Sequence, residues 1–168
     1  MPLFNLWTGS WNAEQARKGF VDYGDAPIFA PTRETFYFSE TQPTTVVVAP
    51  LVWLTGNPLL GYNVYLLATL TLNGVFTYRL FRQVGLNRLA CLFGGMLTET
   101  LPFAIWQLGV LQLVAFWPAV WTLSAWWRIS RQGGGWRSGL ELGLAYAVTY
   151  LACNYHGLFL TLLLVPAG

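Results

Sequence analysis

The chain has 168 residues, of which 55% are hydrophobic and only 10% are charged, and its mean hydropathy is +0.46. Because soluble domains carry about 25% charged residues, this composition excludes a surface that lies mainly in water and favours an integral membrane protein with bound lipids. The net charge of +2 is too small to indicate a nucleic-acid partner. Cys91 and Cys153 lie in apolar stretches away from any Cys/His cluster. We therefore expect buried thiols and predict neither a metal site nor a cofactor.

Residues 1–43 are polar and aromatic and hold five of the seven acidic residues. Their apolar positions predict a short helix in the membrane interface, with an irregular arm as the alternative; these positions are Leu3, Phe4, Leu6, Trp7 and Trp11. Residues 45–54 form an apolar run that is too short to cross a bilayer core of about 30 Å, and Pro50 is expected to break it. This run predicts a juxtamembrane or re-entrant helix.

Five longer apolar runs follow, at about residues 59–78, 89–101, 108–127, 138–153 and 157–168. Pro102 is expected to stop the second run, and the polar patch at 154–156 is expected to separate the last two. The sequence therefore predicts an all-α, polytopic transmembrane bundle of about five spans at 44–168, preceded by the arm at 1–43.

Six arginines predict the orientation of this bundle. They fall into two predicted loops, with Arg79, Arg82 and Arg88 in one and Arg128, Arg131 and Arg137 in the other. A hairpin of two spans separates the loops, so both lie on the same side, and the positive-inside rule places that side in the cytoplasm. The arm is then extracytoplasmic.

Ionisable side chains at membrane depth are candidate functional groups, because each is costly to insert. Glu99 either lines an external cleft or is a wetted carboxylate where Pro102 ends the helix. Glu141 follows Arg137 by four residues, which predicts a local ion pair with a structural role. The single histidine, His156, is either a base or a cofactor or pigment ligand, or an ordinary turn residue.

Carboxylates and amides supply the remaining candidates. Asp25 lies in a turn-rich segment, and Glu34 and Glu40 flank an aromatic run at 35–39. Carboxylates beside aromatics suit sugar recognition or a general-base role, whereas the alternative is a solvated acidic arm that assists topology. In the first span, Asn63 and Asn73 are each expected to hydrogen-bond a neighbouring helix.

Several short motifs occur in an order that resembles the N-terminal part of bacterial GT-C glycosyltransferases. They are Thr35-Phe36-Tyr37-Phe38-Ser39-Glu40, the segment from Ala49 to Pro58 that leads to Tyr62-Asn63, Tyr78-Arg79-Leu80, the segment from Gly109 to Leu113 before Trp117-Pro118, and the segment from Asn154 to Phe159. The resemblance implies transfer of a sugar from a polyprenyl-phosphate donor, with an acidic residue of the first external loop as base. Asp25 is the matching position.

The sequence departs from the pattern of these glycosyltransferases in two ways that argue against an active enzyme. No span precedes Asp25, and the chain ends at Gly168, so only part of the donor cleft is expected. The favoured hypothesis is a non-catalytic accessory subunit of a larger complex in the bacterial inner membrane, such as a respiratory or photosynthetic one, bound to lipids and other membrane subunits. The alternative is a glycosyltransferase, or half of a split one, with Asp25 as base and Glu40 and Glu99 lining the cleft. A third hypothesis is a piece of a transporter or channel.

Overall fold

The computed structural model of the protein describes residues 2–29 and 31–164. Over these residues all regular secondary structure is helical, which confirms the predicted all-α class. The α-helices are α1 (Pro2–Arg17), α2 (Ala49–Thr55), α3 (Pro58–Val84), α4 (Arg88–Thr100), α5 (Pro102–Trp106), α6 (Leu111–Val114), α7 (Trp117–Gln132), α8 (Trp136–Ala152) and α9 (Asn154–Leu164). Short 3-10 helices cover Thr35–Phe38 and Pro43–Val48. The fold divides within α3 into two compact units, residues 1–66 and 67–168.

The helical alternative for the start of the chain is correct, but the buried side of α1 is polar. Its buried residues are Asn5, Thr8, Asn12, Ala13 and Gln15, whereas Leu3 is 81% exposed. The Asn12 amide donates to the carbonyls of Thr41 and Gln42 at 2.8 and 3.0 Å. These bonds satisfy carbonyls where the backbone turns through a left-handed residue, Gln42 (φ 45°). The polar side of α1 therefore stabilises the turn that leads into the second 3-10 helix.

Aromatic rings fill the rest of the first unit. Phe36 is fully buried and meets the rings of Trp7, Trp11 and Tyr23 edge-on, with centroid separations of 5.9, 6.4 and 5.1 Å. Such edge-to-face pairs add to the hydrophobic gain from burial. The described residues of the arm are thus folded around an aromatic core of their own. The arm belongs to the same compact unit as residues 44–66.

Pro50 does not break the short apolar helix, contrary to the prediction. It lies in the first turn of α2, where a missing N–H leaves no hydrogen bond unmade. The second 3-10 helix runs directly into α2, and Gly56 ends α2 in a left-handed conformation (φ 66°).

In the second unit, α3 and α4 approach closely at two glycines. A Cβ atom placed on Gly95 would lie 2.8 Å from the carbonyl oxygen of Gly74. Only glycine allows this separation. Close crossings between membrane helices commonly use small residues for the same reason. The helix α4 ends at Thr100, and Pro102 begins α5, as the sequence predicted.

The third apolar run is not one helix, contrary to the prediction. It divides into α6 and α7 with an interruption at residues 115–116, because Pro118 fits the first turn of a new helix. Asn73 holds this interruption: its Nδ2 donates to the carbonyl of Val114 (2.9 Å), and its Oδ1 accepts from the N–H of Trp117 (2.8 Å). The expected interhelical bond of Asn73 is therefore confirmed, while Asn63 is exposed.

The helices α7, α8 and α9 pack together, and two predictions fail among them. Residues 154–156 are not a separating loop; they form the first turn of α9, and only Cys153 lies between α8 and α9. Glu141 forms its ion pair with Arg128 of α7 rather than with Arg137, because the two helices lie side by side. The guanidinium of Arg137 instead lies over the ring of Trp136, 5.5 Å from its centroid. Cys91 and Cys153 are buried, as expected, and the two do not form a disulfide with each other.

Two segments of the described chain are long and apolar enough to cross a membrane, Pro58–Val84 and Arg88–Trp106. Only 22% and 17% of their most apolar windows are buried, which is unlike the core helix of a soluble protein. The helices α7, α8 and α9 have 16, 17 and 11 residues, fewer than the roughly 20 that a helix needs to cross a bilayer. Residues 165–168 of the last predicted run lie outside the described residues.

Candidate functional site

An apolar groove of about 490 Å³ lies beside the crossing of α3 and α4. Its α3 side includes Thr71, Val75 and Tyr78, and its α4 side includes Met96 and Glu99. These positions recur every three or four residues, so each helix contributes one continuous face. The close approach at the two glycines defines the floor of the groove.

Glu99 places its carboxylate in this groove. Both carboxylate oxygens are shielded from solvent and make no hydrogen bond of good geometry within the described part of the chain. The nearest polar group is the backbone of Gly74, and Oε1 would lie 3.3 Å from a Cβ on that residue. This geometry differs from a wetted carboxylate at the interface. A shielded carboxylate without a partner is costly, so a cation or a hydrogen-bond donor from outside the chain would be bound favourably here.

Asp25 and Glu40 lie in the first unit. Asp25 is partly exposed, and its Oδ1 accepts a hydrogen bond of 2.7 Å from the backbone N–H of Glu34, a residue with a left-handed backbone (φ 59°). This bond holds the turn before the first 3-10 helix. Partial burial raises the pKa of the Glu40 carboxyl.

His156 lies in α9, and its imidazole is near the carbonyl of Ala115. Its Nδ1 is buried and has no hydrogen-bond partner among the residues that the structure describes. His156 is not among the residues that line the groove around Glu99. Across residues 2–29 and 31–164, no three His, Cys, Asp or Glu side chains come together as potential metal ligands.

All six of these arginines lie on helices rather than in loops, contrary to the prediction. The helix α3 continues past Arg79 and Arg82 to Gly85 (φ 99°), and α7 continues past Arg128 to Gly133 (φ 75°). Glycines with positive φ end these helices, whereas a change from apolar to charged residues does not. Arg79 and Arg82, predicted in one loop, and Arg128, predicted in the other, line one cavity.

No protein-family model matches this chain, and no characterised protein or solved structure is significantly similar to it. The resemblance to GT-C glycosyltransferases thus stays a hypothesis based on the motifs given above.

Sequence reasoning selected Glu99 but not the groove around it. The available signal was the pair Gly94-Gly95 in α4 together with Gly74 in α3, since small residues in apolar helices mark close helix packing. Gly94 packs closely against the ring of Phe81 in α3. A Cβ atom placed on Gly94 would lie only 2.2 Å from Cε2 of that ring.

Proposed function

We propose that this chain is a multi-pass, non-catalytic accessory subunit of a larger complex in the bacterial inner membrane, with a GT-C-like helix bundle. In this proposal α3 and the segment from α4 to α5 cross the bilayer, and α7, α8 and α9 supply the further passes. The arm, residues 1–43, lies outside the cytoplasm. Lipids and other membrane subunits cover the apolar faces of the bundle.

The observation that carries the proposal is the shielded Glu99 carboxylate in an open apolar groove. A membrane subunit whose groove held only lipid tails would leave this carboxylate without a partner, at a cost of several kcal/mol. A neighbouring helix that brings a hydrogen-bond donor or a cation would satisfy it. The groove therefore suits a transmembrane partner with one polar group among apolar side chains.

The exposed apolar residues of α3 and α4 support the same proposal. Along α4, the exposed fractions of Leu89, Phe93 and Leu97 are 68%, 62% and 64%. An apolar face of this kind is covered by lipid or by another protein.

The replacement Glu99→Leu tests the role of the groove. If Glu99 serves a partner, this variant will leave the isolated chain at least as stable as wild type, because it removes an unsatisfied buried group. The assembly extracted from the native membrane in mild detergent will nevertheless become smaller on a native gel. The matched control is Met96→Leu, a substitution of similar volume in the same groove, which should leave the assembly intact.

An assembly that keeps its size in Glu99→Leu would contradict the partner role of Glu99. A wild-type chain that migrates as a stable monomer from native membranes would contradict the subunit proposal itself.

Labelling of single cysteines in intact cells tests the orientation. A membrane-impermeant maleimide is expected to label Ser39→Cys in the arm but not Gly135→Cys between α7 and α8, where a Cβ has open space. Both native cysteines are buried, so their background is low. The opposite labelling pattern would reverse the topology.

A further inference from the structure

A second cavity of the residue 67–168 unit, about 400 Å³ in volume, is lined by three arginines. Arg79 and Arg82 come from α3 and Arg128 comes from α7, and the polar residues Gln83 and Ser124 also line the cavity. The cavity holds three positive charges on side chains that are separated by as many as 49 positions in the sequence, so the fold gathers them.

Among the described residues, one carboxylate, Glu141, lines this cavity, and it is already engaged. Its Oε2 pairs with the guanidinium of Arg128, and its Oε1 accepts from the indole N–H of Trp121 at 3.1 Å. The remaining arginines have no acidic partner among the lining residues. Three arginines and one glutamate give the cavity a formal charge of +2.

The neighbours of Arg79 and Arg82 hold these side chains in position without neutralising them. The Arg79 guanidinium lies over the ring of Phe76, 5.6 Å from its centroid, and Nη1 of Arg82 donates to the carbonyl of Leu86 at 3.0 Å. Ser124 donates to Oε1 of Gln83 at 2.8 Å, which leaves the Gln83 Nε2 group as a further donor. The cavity is thus rich in donors and poor in acceptors.

We propose that this cavity binds a phosphate group, carried either by an anionic phospholipid or by a soluble phosphate compound. Guanidinium groups donate two parallel hydrogen bonds to phosphate oxygens, and basic cavities between membrane helices bind anionic lipid headgroups. Indole and phenol rings of Trp121 and Tyr78 beside the arginines suit a headgroup at the membrane boundary. The lipid source depends on the membrane location proposed above, whereas the phosphate chemistry does not.

Native mass spectrometry of the full chain released from detergent micelles tests the proposal. The probes are phosphatidylglycerol, phosphatidylcholine and inorganic phosphate. The variant Arg79→Gln/Arg82→Gln removes two cavity charges, and Arg88→Gln/Arg137→Gln removes two charges outside the cavity as a matched control. Wild type and the control should retain phosphatidylglycerol over phosphatidylcholine, and the cavity variant should retain it about tenfold less, since charged hydrogen bonds are lost.

The inorganic phosphate arm distinguishes the two sources. Displacement of phosphatidylglycerol by phosphate supports a soluble phosphate ligand, and retention of the lipid supports a phospholipid. The proposal is overturned if the cavity variant and the control bind all probes equally, or if phosphatidylcholine is retained as well as phosphatidylglycerol. Equal elution volumes of both variants establish folding, and the single variant Arg79→Gln gives the same comparison if the double variant does not fold. This experiment does not measure assembly size, so a negative result would contradict the phosphate proposal without contradicting the subunit proposal.

Discussion

The replacement Asn73→Leu is expected to destabilise the second unit strongly. Asn73 is fully buried, and its amide makes both hydrogen bonds that hold the interruption between α6 and α7. Leucine has nearly the same size, so the substitution removes polar contacts without opening a large cavity. The carbonyl of Val114 and the N–H of Trp117 would then both lack their partners.

The size of the effect follows from these two backbone groups. Each buried group that loses its partner costs about 1–3 kcal/mol, so we expect a loss of about 2–6 kcal/mol of unfolding free energy. The lower end applies if a water molecule reaches the interruption, and the upper end applies if it stays dry. Asn63→Leu, at an exposed position of the same helix, should change the unfolding free energy by no more than about 0.5 kcal/mol.

The two buried thiols report the unfolding directly. In detergent, a thiol-reactive fluorophore should label Cys91 and Cys153 only as the helices separate, so the labelling temperature follows the stability of the unit. Asn73→Leu should lower this temperature well below those of wild type and Asn63→Leu. Equal labelling temperatures for the two leucine variants would refute the role of Asn73 in holding the interruption.

Three further predictions concern the arm and the helix crossing. Asp25→Ala should increase proteolysis of the arm, because it removes the acceptor for the backbone N–H of Glu34. Asp25→Asn keeps an acceptor oxygen and should be as resistant to proteolysis as wild type. If Asp25→Asn abolished sugar transfer, that result would favour the glycosyltransferase alternative. Burial raises the pKa of Tyr23 to about 12 from an unfolded value of about 10. Its neutral phenol therefore stabilises the arm below about pH 10, and this stabilisation is lost as the pH rises through about 12. Tryptophan fluorescence should follow that loss in wild type and not in Tyr23→Phe. Gly95→Ala should lower the unfolding free energy of the second unit by about 1–3 kcal/mol, because the new Cβ meets the carbonyl of Gly74. A Cβ on Gly143 has open space, so Gly143→Ala should leave the unfolding free energy unchanged or raise it by up to about 1 kcal/mol. The thiol-labelling assay described above measures both variants.

Helix existence was largely predictable from the sequence, whereas helix ends were not. The uncharged run after Pro58 predicted α3, and Pro102 predicted the end of α4. Hydropathy could not predict the interruption at 115–116, since the run is apolar on both sides of it. The interruption depends on Asn73, a residue 41 positions earlier than Val114, so it is a property of tertiary contact.

The same distinction explains the errors on charged residues. Arg137 and Glu141 satisfied the local i,i+4 rule, which favours an ion pair by only about 0.2–0.5 kcal/mol. The contact between α7 and α8 brings Arg128 and Trp121 to Glu141 instead, so that both carboxylate oxygens are bonded. A weak local preference is readily overridden by a packed neighbour. The polar buried side of α1 has a similar origin, because its partners at 41–45 are visible only in the fold.

The groove and the arginine cavity both include Tyr78 and Arg79, so we expect ligands at the two sites to be energetically coupled. A phosphate bound to Arg79 offsets the positive charge that this side chain presents to the groove, and with it a potential counter-charge for Glu99. The carboxylate would then bind a cationic partner group more strongly. By linkage, a partner cation at Glu99 should increase phosphate affinity by the same factor, whereas a partner that offers only a neutral donor should leave it nearly unchanged. The sign and size of this coupling, measured as phosphate affinity with and without the partner, therefore identify the charge of the group that meets Glu99.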